Sequence, residues 1–190
     1  MTDNRAATET QSMSELDRQV SATMIAQDDD GNDDSLQGFW AQASRKARLG
    51  DLEVFMGTPW GEAVPPPTWS FSDDPAVADE LLDLVLTGKK VATSSLERDY
   101  IDHHEPLPEI GDLSILVDSA GQPHALIRDV EVKRCRFDEI TPTQAAAESE
   151  GDLSLEQWRD AHRKLWSDSG TGVDGATMVV WERFKVLYRA

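Results

Sequence analysis

Apolar residues recur from about residue 39 onward, and their spacing changes from segment to segment. Between Phe39 and Leu49, the positions Trp40, Ala43 and Ala47 fall on one side of a helix, and Gly50 supplies a stop. Thr58 to Pro67 is broken by glycine and proline into a loop. Val77, Leu81, Leu82 and Val85 then give a second helix its buried face. Ser72, Asp73 or Asp74 caps it, Pro75 lies in its first turn, and Gly88 closes it. Val91 to Leu96 predicts a strand, Tyr100 to Ile110 a loop with two prolines, and Leu113 to Val117 another strand. After the turn signal Ala120-Gly121, His124 to Phe137 is a long β-rich run in which Leu126, Arg128, Val130, Val132 and Arg134 alternate with other residues. Thr141-Pro142 opens a helix through Glu148. Ser154 and Gln157 form a capping-box pattern for the next, with Leu155, Trp158, His162 and Leu165 as its face. Asp168 to Gly175 is polar, and Thr177 to Tyr188 is a last β-rich run.

Strands and helices do not alternate regularly in this order, which argues against a doubly wound sheet. The pattern predicts an α+β domain over residues 38–190: a small mixed, partly closed β-barrel with flanking helices. Residues 1–37 are rich in Ser, Thr, Gln and Asp and predict a mostly disordered acidic tail with a weak helix over Ser14 to Ile25. The run from Asp28 to Asp34 fails as an EF-hand. Placing Gly31 at the sixth loop position puts Ala26 at the first and Gln37 at the last, where carboxylates are needed. It reads as a solvated linker.

Charge narrows the function classes. The chain of 190 residues carries 36 acids against 18 Lys and Arg, net −18. Nine acids and two bases give the tail −7, leaving −11 on the body. Such a body does not attract polyanions, so no long duplex DNA is expected, and any nucleic-acid role needs a local basic pocket. A nucleoside or short single strand fits better. No apolar run approaches the roughly 20 residues that span a bilayer, and no basic-then-apolar leader opens the chain. The expectation is no membrane and a cytoplasmic location. Cys135 is the sole cysteine and sits in an alternating stretch, so it is read as an inert buried thiol.

The segment Thr87-Gly88-Lys89-Lys90-Val91-Ala92-Thr93-Ser94-Ser95 carries the clearest chemistry. A helix ends on glycine, two lysines follow, and a hydroxyl cluster begins a strand. A partly buried lysine beside a hydroxyl can take the hydroxyl proton; a charged one can hold a phosphate. The structural alternative is that both lysines complement the dipole at a helix C-terminus.

Gly88-x-Lys90-x-x-Thr93 resembles the G-x-K-x-x-T signature of the ASCH domain family, a PUA-like barrel class. The likeness continues through Glu105-Pro106, Gly111-Asp112-Leu113, Asp118, Gly121, Val130-Glu131-Val132 and Phe137-Asp138-Glu139-Ile140. The stretches Ala147-Glu148-Ser149-Glu150-Gly151-Asp152, Ser154 to Arg159 and Ala161-His162 resemble the longer subgroup, with Ser149 in place of a usual glycine. The resemblance covers about Phe39 to the C-terminus. It implies a cleft near the lysine motif and RNA or a modified nucleoside as partner. The activities it implies are amide hydrolysis of N4-acetylcytidine, single-stranded ribonuclease activity, or non-catalytic binding, none with a cofactor. Carried over from the amidohydrolase branch, Thr93 is the nucleophile, Lys90 its base, and Glu150 orients or shuttles protons. Ser95 stands where that branch has arginine. Lys89, Ser95, Arg128, Glu148 and His162 are the substrate-binding candidates.

Other groups carry less. Asp102-His103-His104-Glu105 lacks a distant third ligand, so no metal is expected. Trp158 and Trp181 sit in periodic segments and read as core. Arg128 and Arg134 are candidates for the local positive charge that the composition lacks.

Overall fold

The computed structural model describes residues 30–49, 64–151, 153–168 and 172–190. The expected helix over Ser14 to Ile25, the Gly50 stop and most of the Thr58 to Pro67 loop lie outside them. The elements are α1 (Asp30–Lys46), β1 (Thr68–Trp69), α2 (Pro75–Leu86), β2 (Ala92–Leu96), α3 (Glu97–His103), β3 (Leu113–Val117), β4 (Pro123–Arg136), α4 (Pro142–Glu148), α5 (Leu155–Asp168) and β5 (Met178–Arg189). A short 3-10 turn, Phe137–Glu139, joins β4 to α4.

The fold is α+β, and the residues from Ser35 to Ala190 form one compact unit. Five strands form a mixed sheet in the order β1-β3-β4-β5-β2, and it is not closed by hydrogen bonds. The β1–β3 pair is parallel; the other pairs are antiparallel. The long β4 and β5 are the spine. Their register shifts between Leu126 and Ile127 and between Asp129 and Glu131, so Val130 is left without a partner. Such bulges bend a ladder and reverse which side chains face inward. Asp129 is buried and Val130 is exposed, and the alternation running through Arg128 and Val130 is broken there.

Helices cover both faces. Phe39, Trp40 and Ala43 of α1 pack with Ile115 and Leu126. Leu82 and Val85 of α2 pack with Leu116, Ile127 and Phe184. Trp158 and Trp166 of α5 pack with Ala92, Leu96, Val179 and Trp181. Four expectations need correction. α1 begins at Asp30, not Phe39; the sequence upstream of Phe39 is mostly polar and has no apolar periodicity to reveal a helix. Val77 is exposed and Ala78 holds its place in the α2 stripe. Leu165 is exposed and Trp166 is buried in its stead. The expected loop at Tyr100 opens as helix α3, whose seven residues are too few for a periodicity to show.

Candidate functional site

The lysine junction is shaped by how α2 ends. Thr87 is its C-cap, and Gly88 follows at φ +76°, a conformation that glycine adopts without steric cost. The Lys89 and Lys90 amides both donate to the Leu84 carbonyl. This turn swings the chain inward, so Lys89 points to solvent while Lys90 is 1% exposed. From the other side, α4 brings its C-terminus against the same junction. The Val91 amide donates to the Ala147 carbonyl, and the Ser149 hydroxyl donates to the Lys89 carbonyl. Ser149 itself is left-handed, at φ 55°, a conformation that glycine adopts without strain.

This arrangement surrounds the Lys90 ammonium with carboxylates. Its Nζ donates to Glu150 Oε1 at 2.6 Å and to the Glu148 carbonyl at 3.3 Å, and lies 3.9 Å from Glu148 Oε2. It also sits 5.1 Å from the centre of the Phe71 ring. Glu148 is fully buried and is held in turn. Ser94 Oγ and Trp158 Nε1 donate to its Oε1 at 2.7 and 2.9 Å. Its Oε2 faces Lys90 and, at 3.5 Å, His162 Nε2. Burial pushes the Glu148 carboxyl up, but His162, Lys90 and Ser94 outweigh it and hold the carboxyl below its usual range. His162 stacks on Trp158 and donates from Nδ1 to the Trp158 carbonyl. Its ring is locked in place by core contacts.

β2 also borders a cavity of about 700 Å³. Thr93, Ser94 and Ser95 line it from β2, Trp69 and Phe71 from the segment around β1, Tyr100 from α3, and Asp129 and Glu182 from the bent spine. Trp69 and Phe71 pack edge to face, 4.8 Å between centroids. Ser95 and Tyr100 hydroxyls are 3.0 Å apart. Tyr100, Glu182 and Asp129 are neighbours in the cavity wall. Burial and the neighbouring Asp129 push Glu182 up to about 8; burial and Asp112 push Asp129 up to about 6. Burial and Glu182 raise the Tyr100 phenol to about 12. The two neighbouring carboxyls are both raised by burial and by like charge, Glu182 the further of the two.

The predicted residues therefore fall into two adjoining places. Lys90, Glu148, Glu150 and His162 meet in one buried cluster. Thr93 and Ser95 face the cavity. Phe71, which lines the cavity and lies under Lys90, joins the two. Lys89 is exposed and outside both. Arg128 is half-buried on β4 opposite Lys185 and does not line the cavity; Asp129 does, because of the bulge. Arg134 is ion-paired with Glu97. The expected basic lining is thus replaced by an acidic one: no Lys or Arg lines the cavity among the described residues. Tyr100, Asp129, Glu182, Ser94 and Trp158 were missed as site residues. Glu182 left a readable signal, an acid at an inward position between Val180 and Phe184 of an alternating strand. Among the described residues, no group of three or more His, Cys, Asp or Glu is placed to hold a metal ion, and no helix is long and apolar enough to cross a membrane.

Comparison with known proteins agrees with this architecture. The family model for the ASCH domain matches residues 67–188. The crystal structure of an ASCH domain from Lactobacillus crispatus JV V101 is similar over 76% of this chain and 96% of its own, with 28% identity and a TM-score of 0.62. Protein EF3133 from Enterococcus faecalis V583 shares the fold, with 23% identity, a TM-score of 0.60, and coverage of 76% and 88%. Among curated proteins there is no match.

Proposed function

The chain belongs to the ASCH domain family, a PUA-like fold generally associated with RNA binding, and from that premise we propose that its cavity takes a single modified nucleobase and hydrolyses an amide on it, as in N4-acetylcytidine. The observation that carries this reading is the composition of the cavity walls. They combine three aromatic rings, a tyrosine, six Ser and Thr hydroxyls and four carboxyls, with no Lys or Arg among the described lining residues. That surface suits an uncharged, hydrogen-bonding, stackable ligand and repels phosphate. Its volume is in the usual range for small-molecule sites. A ribonuclease would hold a phosphodiester in place, and this lining offers that group no cation.

The reaction assigned here draws on both places, which Ser94 and Phe71 join. Thr93 attacks the amide carbon from the cavity wall. Lys90 takes the hydroxyl proton after passing its own to Glu150, which it already contacts at 2.6 Å. Glu148, fixed by Ser94, Trp158 and His162, positions the lysine. The test is turnover of N4-acetylcytidine to cytidine and acetate by purified protein beside Lys90→Ala. The expected result is a loss of about 10²–10⁴-fold in the variant. Equal turnover in both would remove Lys90 from the chemistry. Tight nucleoside binding by the wild type without turnover would leave a binding module in place of an enzyme.

A further inference from the structure

The reading above supplies a nucleophile and its base but leaves one proton unaccounted for. When the C–N bond of an amide breaks, the nitrogen must be protonated, because an amide anion is too basic to leave. The base that has just taken the Thr93 proton lies in the buried cluster with its ammonium held by two carboxylates. A second proton carrier on the cavity side is required.

Glu182 is placed to be that carrier. In the β2–β5 ladder it is the direct partner of Thr93. Directly opposite residues on one face of an antiparallel pair have Cβ atoms about 5 Å apart. Both side chains line the same cavity, so they do share a face. A substrate carbon bonded to Thr93 therefore brings its nitrogen within reach of the Glu182 carboxyl. Tyr100 from α3 and Asp129 from β4 flank Glu182 in the cavity wall. The Tyr100 hydroxyl lies 3.0 Å from that of Ser95.

We infer that Glu182 is a further catalytic residue, the general acid that protonates the departing amino group. The inference rests on the amidohydrolase reading. Thr93 Oγ1 bonds to the acyl carbon and its proton passes to Lys90. The tetrahedral adduct collapses, the C–N bond breaks, and the nitrogen leaves as a neutral amine with the Glu182 proton. Water then attacks the Thr93 ester. It gives one proton to the Glu182 carboxylate, and the threonine oxygen recovers its own from Lys90. The sum is amide plus water to amine plus carboxylic acid, with both residues restored. A carboxyl that still holds its proton near neutral pH is what the step needs, and burial with the Asp129 charge keeps Glu182 in that state up to about pH 8.

The test compares two substrates on the full-length wild type and Glu182→Gln. N4-acetylcytidine needs its leaving nitrogen protonated; an aryl acetate ester, whose phenolate leaves unaided, does not. The expected result is a loss of about 10²–10⁴-fold in acylation by the amide, with the burst of phenolate release from the ester, which reads acylation alone, little changed. A parallel fall in acylation by both substrates assigns Glu182 a structural role and overturns the inference, as does an undiminished rate of acylation by the amide. Absence of amide turnover in the wild type overturns the hydrolase reading itself, and the inference with it. Asp129→Asn provides a second arm that leaves Glu182 intact. Asp129 is the charge that raises Glu182 most among its neighbours, ahead of Asp112, so the alkaline limb of the amide pH–rate profile should move to lower pH. An unmoved limb counts against Glu182 as the titrating acid.

Discussion

Lys90 shows what a single residue can cost and contribute here. Its ammonium is 1% exposed and serves two carboxylates, one of them, Glu148, equally buried. Removing it strands those charges in a poor dielectric. Lys90→Ala should therefore lose about 3–5 kcal/mol of stability in denaturant unfolding. Lys90→Met combined with Glu148→Gln, which removes both charges, should recover much of that loss. A single variant as stable as the wild type would mean that water reaches the pair freely. The cavity carboxyls behave oppositely. Glu182 and Asp129 have folded values raised above their unfolded ones, so the native state binds more protons than the unfolded chain. Their contribution is fully present below about pH 4 and is lost as pH rises through about 6 and then about 8. Stability should decline across that window, and Glu182→Gln should flatten the decline, measured by unfolding at pH 5, 7 and 8.5.

At the scale of elements, the site depends on two chain reversals. α2 ends on Gly88 and delivers Lys90; α4 ends on Ser149 and delivers Glu148 and Glu150. α4 has only seven residues, so its caps matter. The Thr141 side chain accepts from the Gln144 amide, and the Gln144 side chain accepts from the Thr141 amide. Thr141→Ala should cost about 1 kcal/mol, with no direct effect on chemistry. Gly151 sits at φ +60°, and a Cβ there would meet the Gln157 side-chain amide at 1.9 Å. Gly151→Ala should cost a further kcal/mol or so through backbone strain and should lower turnover by shifting Glu150. These helix ends were readable in the sequence because Thr141-Pro142, Pro75 and Gly88 are residues with fixed conformational roles. The bulge at Val130 was not, since no residue there demands it, and it is what brought Asp129 rather than Arg128 to the cavity. Lys90, Glu148 and His162 were individually visible. Their union was not, because it depends on how α4, α5 and β2 pack.

On the whole molecule, the acid excess and the cavity point the same way. A body at −11 repels phosphate chains, and its cavity has carboxyls where a polyanion reader would have Lys and Arg. Nucleoside affinity should therefore be nearly flat with salt, since no counterions are released from a neutral ligand. Calorimetry of N4-acetylcytidine at 50 and 300 mM salt checks this, and a steep fall in affinity would reveal phosphate-type contacts that the cavity lining does not provide. The central claim is that one small pocket joins the Thr93 hydroxyl to the buried Lys90 pair and acts on an acylated base. Lys90 variants test it with a stability penalty attached; Thr93 carries no such penalty, as a half-buried hydroxyl on the cavity wall. The most direct measurement is the initial rate of N4-acetylcytidine hydrolysis by the wild type and by Thr93→Ala, with equal nucleoside binding confirmed for both. The account predicts turnover in the wild type and a loss of at least about 10²-fold in the variant. Hydrolysis that continues unchanged without the threonine hydroxyl would contradict it.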